Sequence, residues 1–183
     1  MTEMPPQQWT IDGPKLEDAE DLAHMHAQSW RDTYPGIQPG ITDEWVEEHA
    51  AAKESPEGIE RYKSHIAAAL EDPEHRYYMV ARDGSGKAVG FVAGSKTQEE
   101  QRLHAFYLDK SFQGSGVATA LGEDLQGWLD PGRDTLLGVA VNNGRAIHFY
   151  EKLGFELQPG TEHDFGGGLM EIEMVKPGVQ HEV

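Results

Sequence analysis

Two short segments carry the residues of this chain whose types and spacing could do chemistry. The first is QGSGVA at 113–118, which follows an apolar run at 103–108 and opens a helical pattern. The first turn of a helix exposes unpaired N–H groups and the positive end of the helix dipole. Because Gly114 and Gly116 lack side chains, a phosphate could approach these N–H groups closely. The segment therefore predicts an anion site built from a strand, a glycine loop and a helix N-terminus.

Neither of the common phosphate motifs fits this segment. The GxxxxGK[ST] loop needs a lysine after its last glycine, where Val117 stands. The dinucleotide fingerprint GxGxxG needs a third glycine, where Thr119 stands. Taken alone, a Gly-x-Gly stretch is more often a plain turn, so the anion site needs support from a second motif.

The second segment is VNNGRAIHFYEKLGF at 141–155. A strand is expected to end at Val141, and Asn143 is expected to cap the following helix, since an Asn side chain accepts from first-turn N–H groups. Tyr150 lies seven residues, or two helical turns, after Asn143, so both side chains could face one cleft. Asn143 could donate to a ligand carbonyl and Tyr150 offers a hydroxyl, although a cap and a half-buried aromatic would explain each residue alone.

The periodicity of apolar residues predicts the elements that must position these segments. Helices are expected at 16–34, 42–52, 55–70, 116–129 and 144–153, and strands at 9–11, 77–81, 88–95, 103–108, 136–141, 155–157 and 169–175. A loop containing Gly166, Gly167 and Gly168 is expected between the last two strands. The order predicts a single α/β domain at 9–176, with an antiparallel meander in one layer of sheet. A flexible tail is predicted at 1–8 and another tail at 177–183.

Composition and charge narrow the class of function. The chain has 183 residues, 38% of them hydrophobic, and no cysteine, which excludes disulfides and a cysteine nucleophile. No apolar run approaches the ~20 residues of a membrane span, and no secretory signal is recognisable, so a cytoplasmic location is expected. The net charge of -17 argues against nucleic acid and anionic membranes as partners. It serves solubility and would also favour a cationic substrate such as an amine.

Together the two segments resemble one family. The pattern Q-x-x-G-x-A after a strand, followed by N-x-x-A-x-x-x-Y-x-x-x-G-F, is similar to the GNAT superfamily of acetyl-CoA-dependent N-acyltransferases. The resemblance covers about residues 9–176, and SWRDTY at 29–34 is also similar to the first helix of many small members. It implies a single-domain mixed α/β fold in which two neighbouring parallel strands splay apart and helices flank the sheet.

The resemblance implies a site for acetyl-CoA as the acyl donor. The backbone of Phe106, Tyr107 and Leu108 would pair with the pantetheine arm like an added strand. The arm would enter the wedge between the strands that end near Leu108 and Val141, and Asn143 would contact the arm or its adenylate side. The residues implied for the pyrophosphate are Gln113, Gly114, Ser115, Gly116, Val117, Ala118 and Thr119.

The resemblance also implies direct attack of a substrate amine on the thioester, without an acyl-enzyme. The N–H of Leu108 would stabilise the oxyanion, and Tyr150 would give a proton to the departing thiolate. Trp30 and Tyr34 could line the amine pocket, since aromatic faces favour cations, although helical spacing also fits Trp30 for core packing.

The general base is open at this point. Many members of the superfamily carry Glu at the position that Arg102 holds here. His104, on the strand itself, has a suitable pKa range and is the candidate. Glu99, Glu100 and a water relay are the alternatives.

The sequence therefore predicts an N-acetyltransferase that moves an acetyl group from acetyl-CoA to a primary amine of a small molecule or peptide. No metal is expected, because the spacing of His24 and His26 does not suit one helical face, and a homodimer is allowed. The alternative is a non-catalytic acyl-CoA-binding regulatory domain, which the absence of a carboxylate at Arg102 favours. A third hypothesis is an ATP-binding module.

Overall fold

The structure is a computed structural model that describes residues 8–179, so residues 1–7 and 180–183 of the predicted tails lie outside the described residues. The described elements, in chain order, are β1 (Trp9–Asp12), α1 (Asp18–Thr33), α2 (Asp43–Glu54), α3 (Pro56–Glu71), β2 (Arg76–Asp83), β3 (Ala88–Lys96), β4 (Gln101–Leu108), α4 (Val117–Trp128), β5 (Thr135–Ala140), α5 (Gly144–Lys152), β6 (Glu156–Leu157), β7 (His163–Gly166) and β8 (Leu169–Lys176). A short 3-10 turn, Lys110–Phe112, lies between β4 and α4.

Every helix and strand predicted from the sequence is present, with ends that shift by a few residues. One strand was not predicted: β7 forms where only a loop was expected. Its four residues are all exposed, so no alternation of apolar residues marks them. The strand exists because Gly167 and Gly168, at φ 65° and 93°, turn the chain back so that β7 pairs with β8.

The strands form a single mixed sheet in the order β1-β2-β3-β4-β5-β8-β6, with β7 also paired to β8. All pairings are antiparallel except that of β4 with β5. The parallel register comprises only two pairs, Gln101 with Thr135 and Arg102 with Leu136. Beyond Arg102 the two strands separate and leave a wedge. The predicted mixed sheet with splayed parallel strands is thereby confirmed.

Helices cover both faces of the sheet. On one face α4, through Leu121 and Leu125, and α5, through Ile147, pack in one core cluster with Leu137 and Val139 of β5. On the other face α1, α2 and α3 pack against β2, β3 and the ends of β5 and β8. Because side chains alternate along a strand, Gly138 and Ala140 of β5 face the α1 side. In residues 8–179 no helix combines the length and apolar character needed to cross a bilayer.

Side-chain caps fix the starts of α2 and α3. The hydroxyl of Thr42 accepts from the N–H of Trp45 at 3.1 Å, and α2 begins at the next residue. The hydroxyl of Ser55 accepts from the N–H of Gly58 at 3.0 Å, with Pro56 in the first turn of α3. Each cap satisfies one N–H that the helix itself leaves unpaired.

Arg82 of β2 joins the sheet edge to α1. Its guanidinium is buried and donates to Asp12 of β1 at 2.7 Å and to both carboxylate oxygens of Asp18 at 2.5 and 2.8 Å. Asp18 is also buried, with 4% of its surface exposed. These hydrogen bonds fix the start of α1, the helix whose other end carries Trp30 and Tyr34.

We expect Arg82→Ala to destabilise the protein by about 3–5 kcal/mol, because it leaves a buried carboxylate without its partner. The free energy of unfolding, measured by urea titration, would show the loss. Arg76→Ala on the same strand is the matched control, since Arg76 is exposed. It should change stability by no more than ~0.5 kcal/mol, and equal losses in both variants would contradict the role given to Arg82.

Candidate active site

The glycine loop before α4 has the backbone geometry of an anion site. Gly114 and Gly116 have φ values of 81° and 91°, in the left-handed region that favours glycine. Gly116 caps α4 without any side-chain hydrogen bond, which leaves the first-turn N–H groups free of a capping side chain. A Cβ on Gly114 would meet no atom within 4 Å, and one on Gly116 would meet only Trp9 at 3.8 Å. The space over these N–H groups is therefore open.

The loop is held in place by its own polar groups. The Ser115 hydroxyl donates to the carbonyl of Phe112 at 2.5 Å, and the indole N–H of Trp9 donates to the carbonyl of Ser115 at 3.3 Å. The side chain of Val117, the first residue of α4, is buried in the core. Ser115 and Val117 can thus reach a ligand only through their backbone.

A cavity of about 520 Å³ extends from this loop toward the wedge, and we call it the loop cavity. Its walls include most of the residues expected for the donor: Phe106, Tyr107, Leu108, Gln113, Gly114, Ala118, Asn143 and Tyr150. Lys110, Arg145 and Phe149 also line it. The two motifs do not single out these three residues, although two basic residues beside a glycine loop and an Asn cap are a usable indication of an anion site.

The exposed edge of β4 faces the wedge. The N–H of Asp109 donates to the carbonyl of Val89 in β3 at 2.8 Å. Since successive N–H groups of a strand point to opposite edges, the N–H groups of Leu108 and Phe106 point away from β3. The parallel register with β5 has ended at Arg102 by then, so this stretch of backbone is available to an extended ligand.

Asn143 and Tyr150 stand on α5 beside this edge. The side-chain oxygen of Asn143 accepts from the N–H of Ala146 at 3.2 Å, which confirms the predicted cap. Tyr150 is partly buried. Burial raises its pKa above the usual value, and Tyr107 and Glu171 add to the effect. Tyr150 is therefore protonated at neutral pH, as a proton donor must be.

A second cavity, of about 310 Å³, lies within the wedge between β4 and β5, and we call it the wedge cavity. Its walls come from α1, β4, β5, α5, β7 and β8 and include Trp30, Tyr34, His104, Gly138, His163, Phe165 and Glu171. Six residues line both cavities: Tyr34, Phe106, Tyr107, Asn143, Ala146 and Tyr150. The two cavities therefore adjoin along these six residues, and Tyr150 is one of them.

Trp30 and Tyr34 pack in a core cluster and also line the wedge cavity. They are 5% and 7% exposed, and their rings lie 4.8 Å apart, centroid to centroid, in an edge-to-face arrangement. The indole N–H of Trp30 donates to Nε2 of His26 at 2.9 Å. The ammonium of Lys53 lies 3.6 Å from the centroid of the Trp30 ring, so this ring already attracts a cation from within the chain.

His104 lies beside the bulge where β4 shifts register against β3. His104 is exposed, and its Nε2 lies 2.7 Å from the Ser95 hydroxyl. Partial desolvation lowers the pKa of His104, and Arg102 lowers it further. The neutral ring could accept a proton, and the assignment of His104 as the base stays a prediction.

Glu99 and Glu100, the other side chains considered as the general base, do not line the wedge cavity. Glu99 and Glu100 are exposed on the connection before β4, and Glu100 contacts Arg102 at 3.4 Å. Arg102 itself donates to Glu173 of β8 at 2.8 Å. Arg102 thus stands where the superfamily often carries a carboxylate, and its guanidinium is paired with the carboxylate of Glu173.

Glu171 is a wedge-cavity carboxylate that the sequence analysis did not select. It stands on β8 opposite Ala140, and a Cβ on Gly138 would lie 2.6 Å from its Oε2. Burial raises the pKa of Glu171, with His163 and Arg102 opposing that effect. In the sequence its segment, MEIEMV, has the alternation of any half-exposed strand, so only the sheet topology reveals its position.

The comparisons with known proteins agree with this geometry. Residues 41–155 match the model of the acetyltransferase (GNAT) family. The chain belongs to the GNAT family. The match confirms the resemblance stated from the two motifs, and with it the expectation of an acyltransferase that uses acetyl-CoA.

Two curated relatives support this GNAT assignment. An uncharacterized N-acetyltransferase of Methanocaldococcus jannaschii is 37% identical over 81 residues, which cover 39% of this chain and only 36% of that relative's length. An uncharacterized N-acetyltransferase of Bacillus subtilis is 26% identical over 148 residues, which cover 78% of this chain and 77% of the relative.

Solved structures show the same GNAT fold. The PaiA N-acetyltransferase of Thermoplasma acidophilum, in complex with coenzyme A, aligns with a TM-score of 0.74 at 22% identity, over 93% of this chain and 99% of that one. A phosphinothricin acetyltransferase of Sinorhizobium meliloti, in complex with acetyl-CoA, aligns with a TM-score of 0.66 at 18% identity, over 92% of this chain and 88% of that one. At these identities the likeness concerns the fold.

We expect Gly116→Glu to weaken acetyl-CoA binding by more than ~100-fold, because a like charge beside a phosphate costs several kcal/mol. Isothermal titration calorimetry measures the loss. Gly127→Glu, at the exposed far end of α4, adds the same charge where a Cβ would meet no atom within 4 Å. It should bind as the wild type does.

A neutral variant separates charge from backbone strain at this position. Asn tolerates the left-handed conformation better than other residues, so Gly116→Asn should keep more affinity than Gly116→Glu. Wild-type affinity in Gly116→Glu would refute the phosphate loop. Equal losses in the Asn and Glu variants would attribute the effect to the backbone instead of the charge.

Proposed function

We propose that this GNAT protein transfers the acetyl group of acetyl-CoA to a primary amine of a small molecule or peptide, by direct attack within a ternary complex. The observation that carries the proposal is that the loop cavity and the wedge cavity adjoin along shared wall residues that include Tyr150. One cavity has the features of a donor site and the other those of an acceptor site. An acyl group at their junction would be accessible from both.

The loop cavity suits coenzyme A along its whole length. The N–H groups around Gly114 and Gly116 would hold the pyrophosphate, with help from the helix dipole of α4. Lys110 and Arg145 line the same cavity and would offset the acidity of the rest of the chain near the phosphates. The pantetheine arm would extend along the open edge of β4 and pair with its backbone.

The junction of the cavities contains groups suited to acyl transfer. The thioester carbonyl would lie near the N–H of Leu108, which points toward the wedge and would stabilise the negative charge of the tetrahedral intermediate. Tyr150 would protonate the departing thiolate. Because a thiol pKa near ~8.5 already makes the thiolate a fair leaving group, this proton assists the reaction without being indispensable.

The wedge cavity suits the amine-bearing end of an acceptor. Trp30 and Tyr34 provide aromatic walls, and Glu171 places a carboxylate among them. Aromatic faces and a carboxylate both attract an ammonium group. The net charge of -17 would also draw cationic molecules toward the protein.

One observation favours a non-catalytic acyl-CoA-binding domain as the second candidate. Arg102 replaces the carboxylate common in the superfamily and is paired with Glu173. Such a domain would bind acetyl-CoA without transferring its acyl group. Tyr150 and Asn143 at the junction favour the enzyme.

Release of free thiol from acetyl-CoA separates the two candidates. We expect turnover with at least one acceptor from a panel of aliphatic primary amines, amino acids, aminoglycosides and lysine-containing peptides. The control is the same mixture without an acceptor. Tight acetyl-CoA binding without turnover on any acceptor would identify the chain as a binding domain.

We expect Tyr150→Phe to lower kcat by about 100-fold, at the lower end of what a general acid contributes, with little change in the KM for acetyl-CoA. Since the pKa of Tyr150 is raised, the wild type should keep this proton donor up to at least its usual pKa of ~10. Steady-state kinetics between about pH 6 and 10, with the upper limit at the usual pKa of a tyrosine, measures kcat and the KM for acetyl-CoA. Lys152→Gln, an exposed change on the same helix and outside both cavities, is the control, and an unchanged kcat in Tyr150→Phe would remove Tyr150 from this role.

A further inference from the structure

The carboxylate of Glu171 lies on the opposite side of the sheet from Tyr150. Along β8, Ile172 and Met174 pack into the core with α4 and α5, so the alternating residues Glu171 and Glu173 face the α1 side. Tyr150 comes from α5 on the other side. Both nonetheless line the wedge cavity, because the separation of β4 and β5 opens a gap through the sheet between them.

The absence of a side chain at Gly138 gives this carboxylate its place. A Cβ there would lie 2.6 Å from Oε2 of Glu171, closer than atoms can approach. The Glu171 side chain therefore extends along β5 over Gly138, into the space where the strands have parted. A side chain at 138 would therefore require the Glu171 carboxylate to move from this position.

Glu171 has no cation of its own among the described residues. No hydrogen bond or ion pair within residues 8–179 involves its carboxylate, whereas Glu173, two residues along, is paired with Arg102 at 2.8 Å. Glu171 is partly buried, and an unpaired carboxylate in such a place is destabilised unless a cation or donor reaches it. The wedge cavity gives such a group access.

The titratable groups that face Glu171 come from every element around the wedge cavity. Tyr34, Arg102, His104, Tyr107, Tyr150 and His163 line the same cavity or influence the ionisation of Glu171. Tyr34, Tyr107 and Tyr150 all have raised pKa values, so they are neutral donors at pH 7. Arg102 and His163 favour the ionised carboxylate, and burial favours the protonated one.

We propose that Glu171 binds the ammonium group of the acceptor in the wedge cavity and then removes its proton, acting as the general base of acetyl transfer. This inference rests on the proposed function and deepens it, since it assigns a residue of β8 to a role that the sequence gave to His104 on β4. It also specifies the acceptor as an amine that arrives protonated.

The proton and electron balance is complete with the groups in the two cavities. The ammonium gives one proton to the Glu171 carboxylate, and the free amine attacks the thioester carbon, forming the C–N bond. The tetrahedral intermediate collapses with cleavage of the C–S bond, and Tyr150 protonates the thiolate. The second proton of the attacking nitrogen restores Tyr150, and Glu171 releases its proton to solvent.

The pH dependence follows from the direction of the Glu171 shift. Its raised pKa means that the carboxylate form, and with it kcat/KM for the acceptor, is lost as pH falls through a value above the usual 4.5. Without Glu171 the amine must lose its proton to water before it reacts. In that case kcat/KM should rise with pH up to the pKa of the amine itself, about 10 for an alkyl amine.

The test compares Glu171→Gln with the wild type, using acetyl-CoA and the panel amine that gives the fastest thiol release. We expect kcat to fall by at least ~100-fold, the acid limb of the kcat/KM profile to be replaced by the continuous rise, and acetyl-CoA affinity to be unchanged. Glu156→Gln is the matched control, since Glu156 is exposed on β6, and thermal unfolding verifies that both variants are folded.

Two further variants separate Glu171 from His104. Glu171→Asp keeps the carboxylate and should keep an acid limb at reduced kcat, while His104→Ala should also keep the acid limb. A Glu171→Gln profile that matches the wild type, or an acid limb that disappears in His104→Ala, would overturn this inference and leave the proposed function intact. A wild type that releases no thiol with any panel amine would overturn both.

Discussion

The parallel pairing of β4 with β5 stops after two residue pairs, and the rest of the site depends on that interruption. β3 holds one side of β4 along its length, and β8 holds the full length of β5. Each strand is thus stabilised by its outer neighbour while the inner edges remain apart. A continuous ladder would have satisfied the N–H groups of Phe106 and Leu108 and closed the sheet between its two faces.

The gap lets the two faces of the sheet contribute different chemistry to one place. The α5 side provides Tyr150 and Asn143, and the α1 side provides Trp30, Tyr34 and Glu171. Burial acts on both titratable groups in the same sense, since it raises the pKa of Tyr150 and of Glu171. In the proposed reaction this would preserve the tyrosine as a proton donor and strengthen the carboxylate as a base. One physical effect would then serve both proposed roles.

An acidic protein that binds a phosphate-rich donor must hold it by local groups. The net charge of -17 opposes an anion at long range. The loop at 113–118 offers backbone N–H groups, whose alignment costs little because its two left-handed positions are glycines. Lys110 and Arg145 add positive charge at the same cavity. The same acidity favours a cationic acceptor on the other side of the wedge.

The sequence by itself determined what depends on neighbours along the chain. The helix caps at Thr42, Ser55 and Asn143, the glycine loop and the order of elements all follow from local hydrogen bonding and periodicity, and they sufficed for the family and the fold. The strand β7 was not predicted from the sequence, because its exposed residues have no apolar periodicity and its pairing with β8 depends on a glycine turn.

The tertiary structure decided which residues share the wedge. Glu171 reaches it from β8, more than sixty positions after β4, and the position of its carboxylate uses the space that Gly138 on a third strand leaves open. Nothing in the local pattern distinguishes Glu171 from Glu173, which is paired with Arg102 instead. Local sequence dictates backbone conformation through short-range sterics and hydrogen bonds, whereas the meeting of distant side chains depends on strand order and register, which are properties of the whole sheet.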